Sequence, residues 1–149
     1  NYEIGLAAGN YAANYLPPNA IILEIWGLTQ TSPAQERHKG FVDALRERED
    51  LSFRKIEGQW LVDTARMELR KLEHPEQIDF VYAHNDMMAI AAREYFMAWD
   101  SIRGRELRII GVDAVAGGRW TDQCLFPLSD RRGASDSHGY AYHSRGAGG

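Results

Sequence analysis

Residues 20–26 read Ala-Ile-Ile-Leu-Glu-Ile-Trp (AIILEIW). A continuous apolar run of this length is what a strand buried on both faces of a parallel sheet requires. The residues after it set the fold class. Past Gly27, Ser32 stands as an N-cap, Pro33 takes the first helical position and Gln35 completes a capping box. The spacing therefore predicts a helix directly after the strand, with Phe41, Ala44 and Leu45 on its apolar face.

The same alternation extends in both directions. Upstream, Ile4, Ala8, Tyr11, Ala12 and Tyr15 recur at helical spacing over residues 1–16, and Pro17 and Pro18 stop that helix. Downstream, Leu51–Ile56 reads as a second strand, weakened by Arg54 and Lys55. Leu61–Leu72 reads as a helix with a stripe of Leu61, Ala65, Leu69 and Leu72. Ile78–Tyr82 is a third strand, Asp86–Trp99 a helix capped by Asn85 or Asp86, and Leu107–Val112 a fourth strand. Strands that alternate with helices predict an α/β fold, a three-layer parallel sheet with helices on both faces.

The bulk composition narrows the class of function. The 149 residues are 44% hydrophobic and 26% charged, an ordinary globular balance. A formal charge of −4 leaves no footprint for nucleic acid. No apolar run reaches the roughly 18–20 residues of a membrane span. Cys124 is the one cysteine, which excludes an internal disulfide and a cysteine-rich metal site. The chain opens on Asn1 without a signal-peptide pattern, so the expectation is an excerpt of a longer chain.

Composition changes after Gly118. Residues 119–149 contain no Ile, Val, Met, Lys or Glu and are rich in Gly, Arg, Ser and His. The net charge is −5 before that point and +1 after it. The plain reading is a disordered, low-complexity tail.

In an open parallel sheet, ligands bind beyond the carboxyl ends of the strands. There the first strand delivers Gly27–Ser32 and, one turn on, Arg37. The second delivers Gly58-Gln59-Trp60, the third His84-Asn85-Asp86 and the fourth Asp113. A donor fork (Arg37), an acceptor (Asp113), an amide that does both (Asn85) and a flat aromatic (Trp60 or Trp26) suit a polyhydroxylated ligand. Each also has a plainer reading: Arg37 as a solvated surface arginine, Trp60 as a cover for the core, Asn85 and Asp86 as N-caps, Asp113 as a turn residue. His38 and His84 lack a second His or Cys at ligand spacing, so no metal is expected. No cofactor is expected either. Neither a Gly-x-Ser-x-Gly elbow nor a phosphate-cradling glycine loop is present, so the chain is expected to catalyse nothing.

Four stretches carry a family resemblance: NYEIG (1–5), EIWGLTQTSPAQERHKGF (24–41), VYAHNDMMAIAA (81–92) and IIGVDA (109–114). In this order and spacing they resemble the sugar-binding, ribose-binding-like and LacI-type branch of the periplasmic binding protein superfamily. They look closest to sensor domains of Bacteroidetes hybrid two-component regulators. The resemblance spans residues 1–118 and implies the C-terminal lobe of a two-lobe domain that closes on a sugar. It implies ligand contacts from Arg37, Asn85 and Asp113 and a stacking role for Trp60; Trp26 and Asp86, at the same strand ends, are further candidates.

The partners it implies are a small sugar, the N-terminal lobe of the same chain, a membrane reached only through the parent protein, and a homodimer. No direct nucleic-acid contact is expected, and a periplasmic location is. The alternatives are the effector domain of a cytoplasmic LacI-type regulator, an ABC-transporter sugar-binding protein, and, in another class, a small flavodoxin-like or receiver-like protein. The resemblance also reinterprets residues 119–149. Shifted by one nucleotide, their codons admit a Tyr-Pro-Thr strand end and an amphipathic helix of the kind this family places there, so an out-of-frame tail is expected.

Overall fold

The computed structural model describes residues 1–98 and 107–112. The expected alternation is present: α1 (Tyr2–Ala13), β1 (Ile21–Trp26), α2 (Ser32–Ala44), β2 (Ser52–Glu57), α3 (Val62–Arg70), a 3-10 turn (Pro75–Gln77), β3 (Phe80–Ala83), α4 (Asp86–Met97) and β4 (Arg108–Ile110). The strands form one parallel sheet in the order β2-β1-β3-β4. The tail from residue 119 and Asp113 lie outside the described residues, as does the end of the expected fourth helix at Trp99.

Strand alternation divides the core in two. Ile22, Phe80, Tyr82 and Ile110 face α1 and α2, where they meet Ala8, Ala12, Phe41 and Leu45. Leu23, Ile25, Val81, Ala83 and Ile109 face α3 and α4, where they meet Ala65, Leu69, Met88, Ala92 and Phe96. The chain is thus an α/β three-layer sandwich, as its sequence pattern predicts.

One local expectation fails and another holds in part, each for a physical reason. The capping box is not formed: Thr31, not Ser32, is the N-cap of α2, and no side chain caps it. The Thr31 hydroxyl instead donates to the Leu28 carbonyl (2.7 Å) and the Gln35 amide to the Thr29 carbonyl (3.2 Å). Gln35, expected to cap the helix, is thus spent on the loop before it. On α1 the expected stripe holds at Ala8 and Ala12, with Ile4 and Tyr11 half-buried against the core, but Gly5 and Gly9 share the buried face and Tyr15 falls outside it. Tyr15 is 44% exposed, under the Arg108 guanidinium at 3.7 Å. The reason is how closely α1 crosses α2. A Cβ on Gly40 would stand 2.1 Å from the Tyr2 carbonyl oxygen and 2.5 Å from the Leu6 nitrogen, both backbone atoms.

At the amino ends of the strands, the turns are tied to one another. Arg48 donates to the Pro17 carbonyl (2.9 Å) and to Asp50 (2.9 Å), and Asp50 accepts the Asn19 N–H at 2.7 Å. The Arg48 guanidinium and that N–H hold the Asp50 carboxyl well below the usual carboxylate range. Among the described residues, no helix is long and apolar enough to cross a membrane.

The close crossing generates a test. Gly40→Ala forces α1 and α2 apart against backbone atoms that cannot yield, with an expected loss of about 1–3 kcal/mol of stability. Urea unfolding of the two proteins reads it; an unchanged midpoint would contradict the close packing.

Candidate functional site

The carboxyl ends of the strands gather loops from every crossover. Trp26 closes β1 and hands the chain to Gly27; Glu57 closes β2 and hands it to Gly58; Ala83 closes β3 and hands it to His84. The loops are then fastened to each other. The Gly58 N–H donates to the Trp26 carbonyl (2.8 Å), and the Thr29 N–H donates to Glu57 Oε2 (2.8 Å). That second bond, from the Thr29 N–H, holds the Glu57 carboxyl below its ordinary range.

Trp60 sits in a tight turn closed by the Leu61 N–H on the Gly58 carbonyl at 3.0 Å. Its two central residues, Gln59 and Trp60, have φ of 58° and 70°. Positive φ at both positions belongs to a type I′ turn, where Asn and Gly are usual. For a bulky aromatic this backbone costs on the order of 1–3 kcal/mol, and such strain gathers at functional sites. The indole lies flat against the β1 loop: a Cβ on Gly27 would come within 2.2 Å of the ring. Arg37, from α2, stands over the same ring with its guanidinium carbon 5.4 Å from the centroid, a cation–π distance. Arg37 also donates from Nη1 to the His84 carbonyl and from Nε to Asn1 Oδ1 at 2.9 Å.

Asn85 caps α4. Its Oδ1 accepts the Met88 N–H (2.9 Å) and its Nδ2 donates to the Trp60 carbonyl (3.1 Å). The expected cap is therefore real, and it binds the third loop to the second. Asp86 is buried in the first turn of α4, with Gly111 packed so closely that a Cβ there would lie 2.6 Å from Asp86 Oδ1. Trp26 is only 8% exposed; the Lys55 ammonium lies 3.8 Å from its ring centroid and the His38 ring 4.5 Å. The structure thus brings Arg37, Trp60 and Asn85 to one edge, sets Trp26 and Asp86 into the body beneath, and leaves Asp113 outside the described residues.

Beneath this edge lies a group the sequence reading passed over. Glu24, at the centre of the apolar run, is 2% exposed. Its carboxylate accepts from His84 Nε2 (2.8 Å) and faces His38 Nδ1 (2.9 Å). His84, fully buried, turns its Nδ1 to the Gly27 N–H at 3.2 Å. An N–H donates only to a lone pair, so Nδ1 carries no hydrogen and Nε2 bears the proton. Burial pushes the His84 imidazole below its ordinary pKa, with Glu24 opposing in part, which keeps the ring neutral. Burial raises the Glu24 carboxyl, but hydrogen bonds from His38 and His84 outweigh it and the group stays ionised. A glutamate inside an Ile/Leu run and a histidine directly after a strand were the available signals. Among the described residues, no group of three or more His, Cys, Asp or Glu side chains is placed to hold a metal ion.

Three large apolar side chains are exposed around the edge. Leu28, Leu61 and Met87, each opening or adjoining one of these loops, are 42%, 56% and 49% exposed.

Known proteins were compared with the chain. Residues 1–119 match the family model described as periplasmic binding protein domain. The fructose-binding periplasmic domain of the hybrid two-component system BT1754 is 36% identical over 78% of this chain and 39% of its own, with a TM-score of 0.67. A Mycobacterium smegmatis protein solved with β-D-fucofuranose is 28% identical over 78% of this chain and 40% of its own, with a TM-score of 0.66. The binding component of the arabinose ABC transporter from Shewanella sp. ANA-3, bound to L-arabinofuranose, shares the fold at 22% identity, with a TM-score of 0.68 over 76% of this chain and 39% of its own. No curated protein matches significantly. The chain spans about two fifths of the length of these solved relatives. The match over residues 1–119, on an α/β sheet that the solved relatives share, means that this chain belongs to the periplasmic binding protein domain family.

Proposed function

We propose that residues 1–118 are the C-terminal lobe of a two-lobe sensor that binds a small sugar and catalyses no reaction itself. The observation that carries this is the Arg37 guanidinium over the Trp60 indole at the carboxyl edge of the sheet. A fixed donor fork beside a flat apolar ring matches the two faces of a sugar, hydroxyls at its rim and C–H groups on its plane. Strain in the turn that presents Trp60 supports the same assignment, since a core cover needs no left-handed backbone. Asn85 contributes its remaining amide hydrogen and Asp113 a carboxylate acceptor. Trp26 and Asp86 back the pocket.

The relatives favour the sugar reading: the 36% identical domain is described as fructose-binding, and the 28% identical protein was solved with a furanose. The former also favours a signalling parent. There, sugar closes the two lobes and the closure shifts a membrane histidine kinase between states. Exposed Leu28, Leu61 and Met87 lie on the surface on which the N-terminal lobe closes. A periplasmic location follows from this reading. The family match ending at residue 119 supports reading residues 119–149 as foreign to the lobe.

Calorimetric titration of the two-lobe protein against D-fructose, D-fucose, L-arabinose and D-galactose tests the proposal. Saturable binding to at least one sugar is expected. Arg37→Ala, which deletes a charged donor, is expected to weaken that binding by about 10-fold to 100-fold. A folded protein that ignores the whole panel would overturn the sugar assignment.

Trp60→Ala separates stacking from simple packing. The expected outcome is about a tenfold loss of affinity, with Trp60→Phe recovering most of it. Equal affinity in Trp60→Ala would leave Trp60 as a cover for the core. DNA upstream of residue 1 discriminates the parent: a signal peptide with a later membrane helix supports the kinase sensor, and a helix-turn-helix segment supports a regulator instead.

A further inference from the structure

His84 is where several of the links between the loops at the ligand edge meet. Its ring accepts the Gly27 N–H, its carbonyl accepts the Arg37 guanidinium, and the next residue, Asn85, fastens the Trp60 turn. The ring can take the Gly27 N–H only while Nδ1 is unprotonated. What selects that tautomer is the Glu24 carboxylate, an acceptor 2.8 Å from Nε2. Glu24 itself is sealed beneath the edge and reaches no ligand.

We propose that Glu24 is a positioning residue for sugar binding, setting the His84 tautomer and so holding the Gly27 turn, the Trp60 indole upon it and the Arg37 guanidinium. This rests on the assignment of Arg37 and Trp60 to the sugar. It adds a residue that contacts no sugar and that sits in the most apolar stretch of the sequence.

The chemistry makes the device sensitive to acid. Protonating His84 would place an N–H on Nδ1 facing the Gly27 N–H, two donors with no acceptor between them. The charged and titratable groups around the ring are Glu24 from β1, His38 and Arg37 from α2, and Tyr82 from β3, its ring 5.3 Å away; Lys55 from β2 lies over the neighbouring Trp26. The folded-state pKa of His84 is depressed below 6.5, so the native arrangement is complete above that pH and is lost as pH falls further. Glu24, depressed below 4.5, acts in the same direction at lower pH.

The test uses the two-lobe protein in three forms: wild type, Glu24→Gln and Glu24→Leu. Glutamine keeps an acceptor for His84 Nε2–H, and its amide can donate to His38 Nδ1 once that ring carries its proton on Nε2; leucine fills the strand but offers neither. Nitrogen-15 spectra of wild type are expected to show a protonated Nε2 and a bare Nδ1 on His84 from pH 8 to pH 6.5. Glu24→Leu is expected to lose that single tautomer, to exchange its Gly27 amide at least tenfold faster, and to weaken D-fructose binding at least tenfold at temperatures where it is fully folded. Glu24→Gln is expected to retain both within about threefold.

A wild-type His84 protonated on Nδ1 at neutral pH would overturn the proposal whether or not the leucine variant folds. So would a folded Glu24→Leu with wild-type affinity and wild-type exchange at Gly27. If wild type binds none of the sugars, the sugar assignment fails by itself, and the tautomer and exchange measurements still decide whether Glu24 sets the edge.

Discussion

An ionised carboxylate in the interior of a parallel sheet must be answered on the spot. Burying such a charge without partners costs many kcal/mol, and removing one partner of a buried pair commonly costs about 3–5 kcal/mol. Glu24 is answered by two imidazoles that come from different parts of the chain, one from α2 and one from the end of β3. The charge therefore dictates where α2 lies over the sheet and how β3 ends. Replacing all three groups by hydrocarbon would satisfy the core equally well. Their presence makes sense where a defined arrangement above them matters more than the stability beneath.

That arrangement arises from the connectivity of the fold. In the order β2-β1-β3-β4, the central strands β1 and β3 are neighbours, so the loops at Gly27 and His84 emerge side by side. β2 sits on the other flank of β1 and brings the turn at residues 58–61 against the first loop. Three segments separated by tens of residues thus meet with their backbones hydrogen-bonded to each other. The side chains they carry are held by fixed neighbours and keep little conformational freedom.

The layered α/β fold was legible because parallel strands and their crossover helices obey different periods, visible in AIILEIW and in the residues after it. The edge on which Arg37, Trp60 and Asn85 meet was legible too, because it follows from the strand-end rule. Other features were hidden for identifiable reasons. Hydrophobic periodicity finds Ala8 and Ala12 on α1 but passes over Gly5 and Gly9, which share the buried face and whose smallness the close crossing requires. Local polar patterns suggest local caps, whereas Thr31 and Gln35 bond backward into the loop. Glu24 looked like an interruption in an apolar run because its partners are 14 and 60 residues away. The left-handed backbone of Gln59 and Trp60 violates residue preference, and no reading of propensity would place it there.

The opposite edge of the sheet leads elsewhere. There Arg48, Asp50 and Asn19 cross-brace the turns, at a full strand length from Arg37, Trp60 and Asn85. The charged brace and the candidate site therefore stand at opposite ends of the strands. A protein engineer who wished to reroute this chain, by circular permutation, an inserted reporter or a surface anchor, would work among those turns. The exposed links outside the Arg48 brace admit such surgery while the opposite end of the strands keeps its geometry.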